Sequence, residues 1–169
     1  MEKIWYEKFK SPVGVLTLIE SEKGLMRLDF ENHEVIDPLL KTGEYVVAGN
    51  KLKTQDIITQ LKEYFEGKRK EFDVKLDIRG ASEFYLKEWN ELLKIPYGET
   101  RSYQQMAEAL GNKKACRAVG NANGKNPIAV IIPCHRVINT GGGLGGFGGG
   151  LKAKRILLAL EGHDEFKEN

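Results

Sequence analysis

The sequence predicts an α/β (α+β) chain in two parts. A small N-terminal antiparallel β-sheet domain with one helix occupies residues 1–80, and a helical C-terminal domain containing a helix-turn-helix occupies residues 81–169. Short apolar runs separated by turn residues fill the first part, and helical spacing takes over after Arg79-Gly80. The 169 residues can bury one core or two small ones, and 41% apolar with 30% charged residues is an ordinary globular balance.

Trp5 to Lys10 is a mixed run ended by Ser11-Pro12. Val15–Ile19 and Leu25–Phe30 read as strands joined by a turn at Ser21-Glu-Lys-Gly24. Residues 31–53 are polar and weakly patterned, a loop with a short element. Thr54 caps a helix to about Glu66, with Ile57, Ile58, Leu61, Tyr64 and Phe65 on one face and Gly67 as its stop. Phe72, Val74, Leu76 and Ile78 alternate strictly, as in a half-buried strand.

Ser82 opens a helix carrying Tyr85, Trp89, Leu92 and Leu93, ended by Pro96 and Gly98. A second helix starts at Ser102. There Ser102-Tyr-Gln-Gln105 fits a capping box, in which each side chain satisfies a backbone N–H of the other residue. Gly111 ends it, and after a short turn a third helix runs from about Lys113 to Asn123. Leu151 to Glu161 forms the last helix, with Gly162 as its C-terminal stop.

Composition narrows the function classes. No run approaches the roughly 18 apolar residues of a membrane span, and the start has no signal-peptide apolar region, so the expected location is cytoplasmic. The two cysteines make neither a disulfide framework nor a C-x-x-C zinc pair, so no metal and no cofactor is expected. A net charge of +2 argues against coating a polyanion over the whole surface but permits a local basic patch.

Pro133-Cys134-His135-Arg136 follows the apolar run Ile128–Ile132. Basic neighbours favour thiolate, so Cys134 is a candidate nucleophile. The plain alternative is a small buried hydrophobe after a strand. Neighbours in an extended chain point opposite ways, so His135 would reach the sulfur through a water rather than directly. Cys116, among small residues, reads as a packing cysteine.

The helix pair at 102–123 has the size of a helix-turn-helix, and its second helix is small and basic around Lys113, Lys114 and Arg117. The alternative is two core helices joined by a turn. Asn126-Pro127 is turn chemistry placed between this pair and Cys134. The stretch Thr140–Leu151 contains a formal G-x-G-x-x-G, but too little chain follows for a βαβ unit. It reads instead as a mobile loop that comes close to a ligand, with Phe147 its one large side chain. Glu161 closes the last helix at the negative end of the dipole. It is either a tolerated surface acid or the partner of a nearby cation.

Together these residues resemble the O6-alkylguanine-DNA alkyltransferases (methylated-DNA–protein-cysteine methyltransferases). Ile95–Tyr103, Arg117-Ala-Val-Gly120, Asn126-Pro127, Ile132-Pro-Cys-His-Arg-Val137, Gly149-Gly-Leu151 and Leu160-Glu-Gly162 stand in that family's order and spacing. The match covers about residues 82–163, and residues 1–80 match loosely through Ser11-Pro-Val-Gly14.

The resemblance implies that Cys134 takes an alkyl group from guanine O6 by in-line displacement. His135 accepts the thiol proton through water, Glu161 orients His135, and Tyr103 donates to guanine N3. It implies that Arg117 fills the gap left by a flipped nucleotide, that Gln104, Asn112 and Thr140 contact DNA, and that Asn126 braces the Cys134 loop. The carbonyls of Cys134 and Val137 hold the guanine amino group, and Phe147 and Gly148 line the pocket where many relatives have Tyr-Ser.

The implied partner is double-stranded DNA carrying O6-alkylguanine, met by a monomer with no membrane involved. Each molecule acts once, because the thioether product is stable, and O4-alkylthymine is a further substrate the resemblance allows. A lesion sensor, a Cys-His hydrolase and a plain DNA-binding regulator are the rival readings.

Overall fold

The computed structural model describes residues 1–31, 34–49 and 52–167. The chain divides into two compact units, Met1–Arg79 and Gly80–Asn169.

The first unit is built on β1 (Glu2–Ser11), β2 (Gly14–Ser21), β3 (Gly24–Phe30) and β4 (Tyr45–Val47), in the order β3-β2-β1-β4. The first three are antiparallel neighbours, as expected. The fourth is not: β4 pairs parallel with β1, so the sheet is mixed. A parallel partner needs a crossover, and α1 (Ile36–Lys41) lies on it. Both elements fall in the stretch read as a loop with a short element, of which residues 32–33 and 50–51 lie outside the described residues.

At the first turn Ser11 Oγ accepts from Val13 N and donates to Gly14 O at 2.7 Å, while Gly14 takes φ +99°. α2 (Leu52–Phe65) buries Ile57, Ile58, Leu61 and Tyr64. Each such side chain stabilises the fold by roughly 1.5–3 kcal/mol. The helix begins upstream of the expected cap, because Thr54 belongs to its buried stripe three and four residues before Ile57 and Ile58.

The predicted strand at 72–78 is reduced to a single parallel bridge, Leu25↔Leu76. Phe72, Val74 and Leu76 alternate with exposed Asp73 and Lys75, so the period is right. In this bridge Asp77 N donates to Leu25 O at 2.8 Å. It accepts from Ser21 Oγ and pairs with Arg79 at 2.6 Å, and Arg79 also grips Glu2 at 2.7 Å. A side chain at Gly24 would place its Cβ 2.5 Å from Lys75 O, which fixes glycine there.

The second unit opens with α3 (Glu83–Leu92), whose cap Ser82 accepts from Tyr85 N. A short β5 (Arg101–Ser102) leads into α4 (Tyr103–Ala109), and both hydrogen bonds of the Ser102–Gln105 capping box are present. α5 (Cys116–Gly124) begins later than expected. Asn112 Oδ1 accepts from Lys114 N at 3.0 Å, a local turn that competes with helix and holds Lys113 and Lys114 outside it.

β6 (Val137–Ile138) pairs parallel with β5, and α6 (Leu151–Leu160) ends at Gly162, φ +98°. Trp89, Leu92, Met106, Ala107, Val119, Ala122, Leu157 and Leu158 are buried in this unit. Trp89 Nε1 ties α3 to α5 by donating to Ala122 O at 2.8 Å. Among the described residues no helix is long and apolar enough to cross a membrane.

Candidate active site

The run Ile128–Ile132 is fully buried but is not a strand. It turns, with Ile131 N donating to Ala129 O and Ile132 N to Ile128 O, and Val130 adopts φ +71°. A β-branched residue in the left-handed region costs of order 1–3 kcal/mol, which the surrounding packing must over-determine. Asn126 supplies much of that constraint. Its Oδ1 accepts from Ile128 N at 2.9 Å, and its Nδ2 donates to Ile132 O at 2.8 Å and to Cys134 Sγ at 3.2 Å. One side chain thus shapes the turn and touches the sulfur at its end.

Cys134, His135 and Arg136 form a 3-10 turn, all three buried. The chain is therefore not extended here, contrary to expectation. No His135–Cys134 hydrogen bond is present all the same, because His135 is turned toward α6. The thiolate expectation fails too. Burial pushes the Cys134 thiol up to about 11, and the bond from Asn126 only partly offsets this. The basic neighbour does not help, because Arg136 is engaged elsewhere. At neutral pH Cys134 is a thiol that has to lose its proton when it reacts.

His135 Nε2 lies 2.8 Å from Glu161 Oε2, both fully buried. Burial holds His135 below the ordinary imidazole range, with Glu161 pulling the other way. The neutral ring therefore donates from Nε2 to the carboxylate, which leaves Nδ1 as the basic nitrogen. Nδ1 is buried and has no partner among the described residues.

Burial alone would raise Glu161. The bonds and charges of His135 and Arg136 outweigh it and bring the carboxyl down to about 2. With His135 neutral, the permanent charge is that of Arg136. Its Nε donates to Glu161 Oε1 at 2.7 Å, its Nη2 to Oε2 at 3.1 Å and its Nη1 to Ile95 O at 2.7 Å. Glu161 is thus a buried, doubly paired carboxylate and not a surface acid. Its helix end is held by Tyr97 Oη donating to Leu160 O at 3.0 Å and by the contact of His163 Nε2 with Gly98 O at 2.6 Å.

A cavity of about 340 Å³ opens beside Cys134, lined also by Tyr103, Gly120, Asn123, Phe147 and Gly148. Tyr103 stands at the first residue of α4. Burial pushes its phenol up, so it is a hydrogen-bond donor at neutral pH. Gly145, at φ +75°, lets the glycine loop close on it, since a Cβ there would come 3.0 Å from the Tyr103 ring. The loop is held more firmly than a mobile loop would be. Asn139 N donates to Gly143 O, and Lys154 Nζ bridges Val137 O at 2.6 Å and Gly146 O at 3.0 Å. The carbonyls of Cys134 and Val137 each accept a bond, from Val137 N and Lys154 Nζ.

The four expected DNA-contact residues lie on the outer surface of the helix pair and the adjoining loop. Arg117 is exposed one turn before Gly120, with Lys113, Lys114 and Lys125 exposed nearby in sequence. Gln104 and Thr140 line a second, shallower hollow of about 450 Å³. The Gln104 amide is occupied within the pair, donating to Lys113 O at 3.1 Å and accepting from Cys116 Sγ at 3.2 Å. Asn112 shapes the turn.

Sequence reasoning assigned no function to Arg136, Lys154 or Glu88. Lys154 and Glu88 had a readable signal. Lys154 precedes Leu157 and Leu158 by three and four residues, and Glu88 lies three after Tyr85 and four before Leu92, so each is a charge inside an apolar stripe.

The resting thiol makes one prediction. Iodoacetamide alkylation of Cys134 should rise about tenfold per pH unit from pH ~7 to ~10, following the thiolate fraction. A plateau below pH ~8.5 would contradict the buried-thiol account.

A buried thiol, a neutral imidazole braced by a carboxylate, a phenol donor and a small cavity beside the helix that carries Arg117 define a cysteine-centred group-transfer protein. Comparison with known proteins makes this specific. Residues 83–163 match the 6-O-methylguanine DNA methyltransferase DNA binding domain, and residues 4–78 match the ribonuclease-like domain of the same family.

The methylated-DNA–protein-cysteine methyltransferase of Mycolicibacterium paratuberculosis is 46% identical over 158 residues, covering 94% of this chain and 92% of that protein. The protein of that name from Methanosarcina acetivorans is 44% identical over 163 residues, covering 94% and 99%. The crystal structure of Mycobacterium tuberculosis O6-methylguanine methyltransferase superposes with a TM-score of 0.80 at 44% identity, covering 94% and 92%. That of Mycobacterium tuberculosis OGT in complex with DNA gives 0.80 at 42% identity, with the same coverage. The chain belongs to the 6-O-methylguanine DNA methyltransferase family.

Proposed function

We propose that this protein repairs DNA by moving the alkyl group of O6-alkylguanine onto Cys134, once per molecule and as a monomer in the cytoplasm. The observation that carries the reading is the meeting of Cys134 and Tyr103 on one cavity, with α5 as a wall. A nucleophile and a hydrogen-bond donor there face the same small guest, and about 340 Å³ is on the scale of small-molecule sites.

The steps balance in atoms and electrons. The Cys134 S–H proton passes through water to His135 Nδ1. The sulfur pair attacks the alkyl carbon as the carbon–O6 bond breaks, and guanine leaves as an anion that accepts a hydrogen bond at N3 from Tyr103, whose phenol keeps its proton. The imidazolium formed is stabilised by Glu161, which Arg136 keeps ionised. That is nucleophile, base and orienter in order. Asn126 holds the sulfur in place throughout.

A guest from duplex DNA reaches the cavity only if it leaves the stack. Arg117 supports this. Gly120, Asn123 and Gly124 of α5 line the cavity, and Arg117 is exposed on the same helix, which supports a role in filling the vacated gap. The exposed lysines around it meet phosphates, which set affinity without reading sequence. Two thiols and no disulfide suit a reducing compartment.

Single use is tested by titration. Protein mixed with excess O6-methylguanine duplex should remove one methyl per molecule and then stop. Continued turnover would favour a hydrolase and overturn the reading.

A further inference from the structure

The tail after α6 comes back to the glycine loop. Lys167 N donates to Gly142 O at 3.2 Å, and Gly143 and Lys167 form a parallel bridge. The Lys167 side chain runs along Gly142, which takes φ +94°. A Cβ at that glycine would come 3.3 Å from Lys167 Cδ and 3.7 Å from its Cε. The ammonium is one bond beyond Cε, and Lys167 is exposed.

Gly142 also lines the outer hollow of about 450 Å³. Asn139 lines both this hollow and the cavity at Cys134, so the two adjoin. A base that enters the cavity from a duplex stays joined to its own sugar and phosphates, so nucleic-acid backbone has to pass the cavity mouth. The hollow offers that backbone the hydroxyls of Thr100, Ser102 and Thr140. Hydroxyls of this kind are ordinary phosphate partners. Among the described residues no Lys or Arg lines the hollow, and Glu108 is its one charged group. An anion held there needs a cation from beyond the lining.

We propose that Lys167 is a further DNA-binding residue, whose ammonium neutralises a backbone phosphate beside the extruded nucleotide. The bridge to Gly143 holds the tail in place, and the stem laid along Gly142 carries the charge to the rim of the hollow. Asp164 and Glu165 precede it on the same tail. The tail therefore does not attract DNA by its bulk charge, and the contact depends on where the bridge sets this one cation. The lysines around Arg117 lie on the helix-pair side of the cavity in sequence, whereas Lys167 reaches the site from the glycine loop.

This inference rests on the proposed repair of duplex DNA. The test measures affinity for an O6-methylguanine duplex at ~50 and ~200 mM salt, in a Cys134→Ser background that leaves the bound lesion intact. Residue 167 is Lys, Ala or Arg in turn. Losing one phosphate contact makes the salt slope shallower by about 0.9, so the advantage of Lys167 over Lys167→Ala should shrink about 3.5-fold across that range. Lys167→Arg should keep the original slope. With Cys134 in place, all three should take methyl from free O6-methylguanine base alike. A Lys167→Ala slope equal to that of the unchanged residue overturns the proposal. So does an equal loss on the free base, which would make Lys167 a splint for the glycine loop. Methyl found on Cys134 after reaction with the duplex leaves the repair reading standing in either case, whereas its absence from the wild type removes that reading and the proposal with it.

Discussion

Replacing Glu161 with glutamine should cost about 3–5 kcal/mol of stability and slow alkyl transfer by ~10²–10⁴-fold. The stability loss follows from Arg136, whose buried guanidinium would lose the carboxylate it holds at 2.7 and 3.1 Å. Breaking a buried pair from one side leaves an uncompensated charge. The rate loss follows from His135. Without the carboxylate its Nε2 proton is no longer fixed, and the imidazolium formed during transfer loses its counter-charge; general-base contributions have this size.

The same pair gives a pH signature. The folded carboxyl of Glu161 titrates at about 2, below its ordinary value of 4.5. Its contribution is therefore complete above pH ~4.5 and is lost as pH falls toward ~2. Urea unfolding of wild type and Glu161→Gln across that window should show the gap closing as pH falls. A gap that stays constant from pH ~6 to ~2.5 would contradict the assignment.

Replacing Arg117 with alanine should lower transfer from duplex DNA by ~10–100-fold, while transfer from free O6-methylguanine base changes by less than about twofold. Arg117 is exposed on α5 and is not among the residues that line the cavity at Cys134, so the chemistry there has no use for it. Extruding a base costs a few kcal/mol of stacking and pairing, part of which an inserted side chain returns. Second-order rates on the two substrates measure the split directly. Equal losses would remove Arg117 from the extrusion step.

The legible parts of this chain were those written in local chemistry. The capping box at Ser102–Gln105 and the glycine stop at Gly162 depend on neighbours a few residues apart, and each formed as read. Parallel pairing of β4 with β1 joins residues 2–4 to 45–47, a long-range event with no local mark. The strand at 72–78 had the right period, but its reduction to one bridge with Leu25 is a tertiary fact.

In the site, the order of motifs brought Cys134, His135, Tyr103, Asn126 and Glu161 forward as candidates. Their electrostatics were misread. Adjacent His and Arg suggested a thiolate, yet burial dominates the sulfur and both basic side chains turn to Glu161. Sequence adjacency does not say where a guanidinium points. Nor does it show that Val130 bends an apolar run into a turn, which sets the direction from which Cys134 enters the cavity.

The central claim is that Cys134 is the alkyl acceptor. The measurement closest to it is peptide mapping by mass spectrometry after the protein has met duplex DNA carrying O6-methylguanine. The expected result is a single added methyl on Cys134, in proportion to protein, with Cys116 unmodified. An unmodified Cys134 in protein that binds the lesion, or a methyl carried elsewhere, would contradict the account.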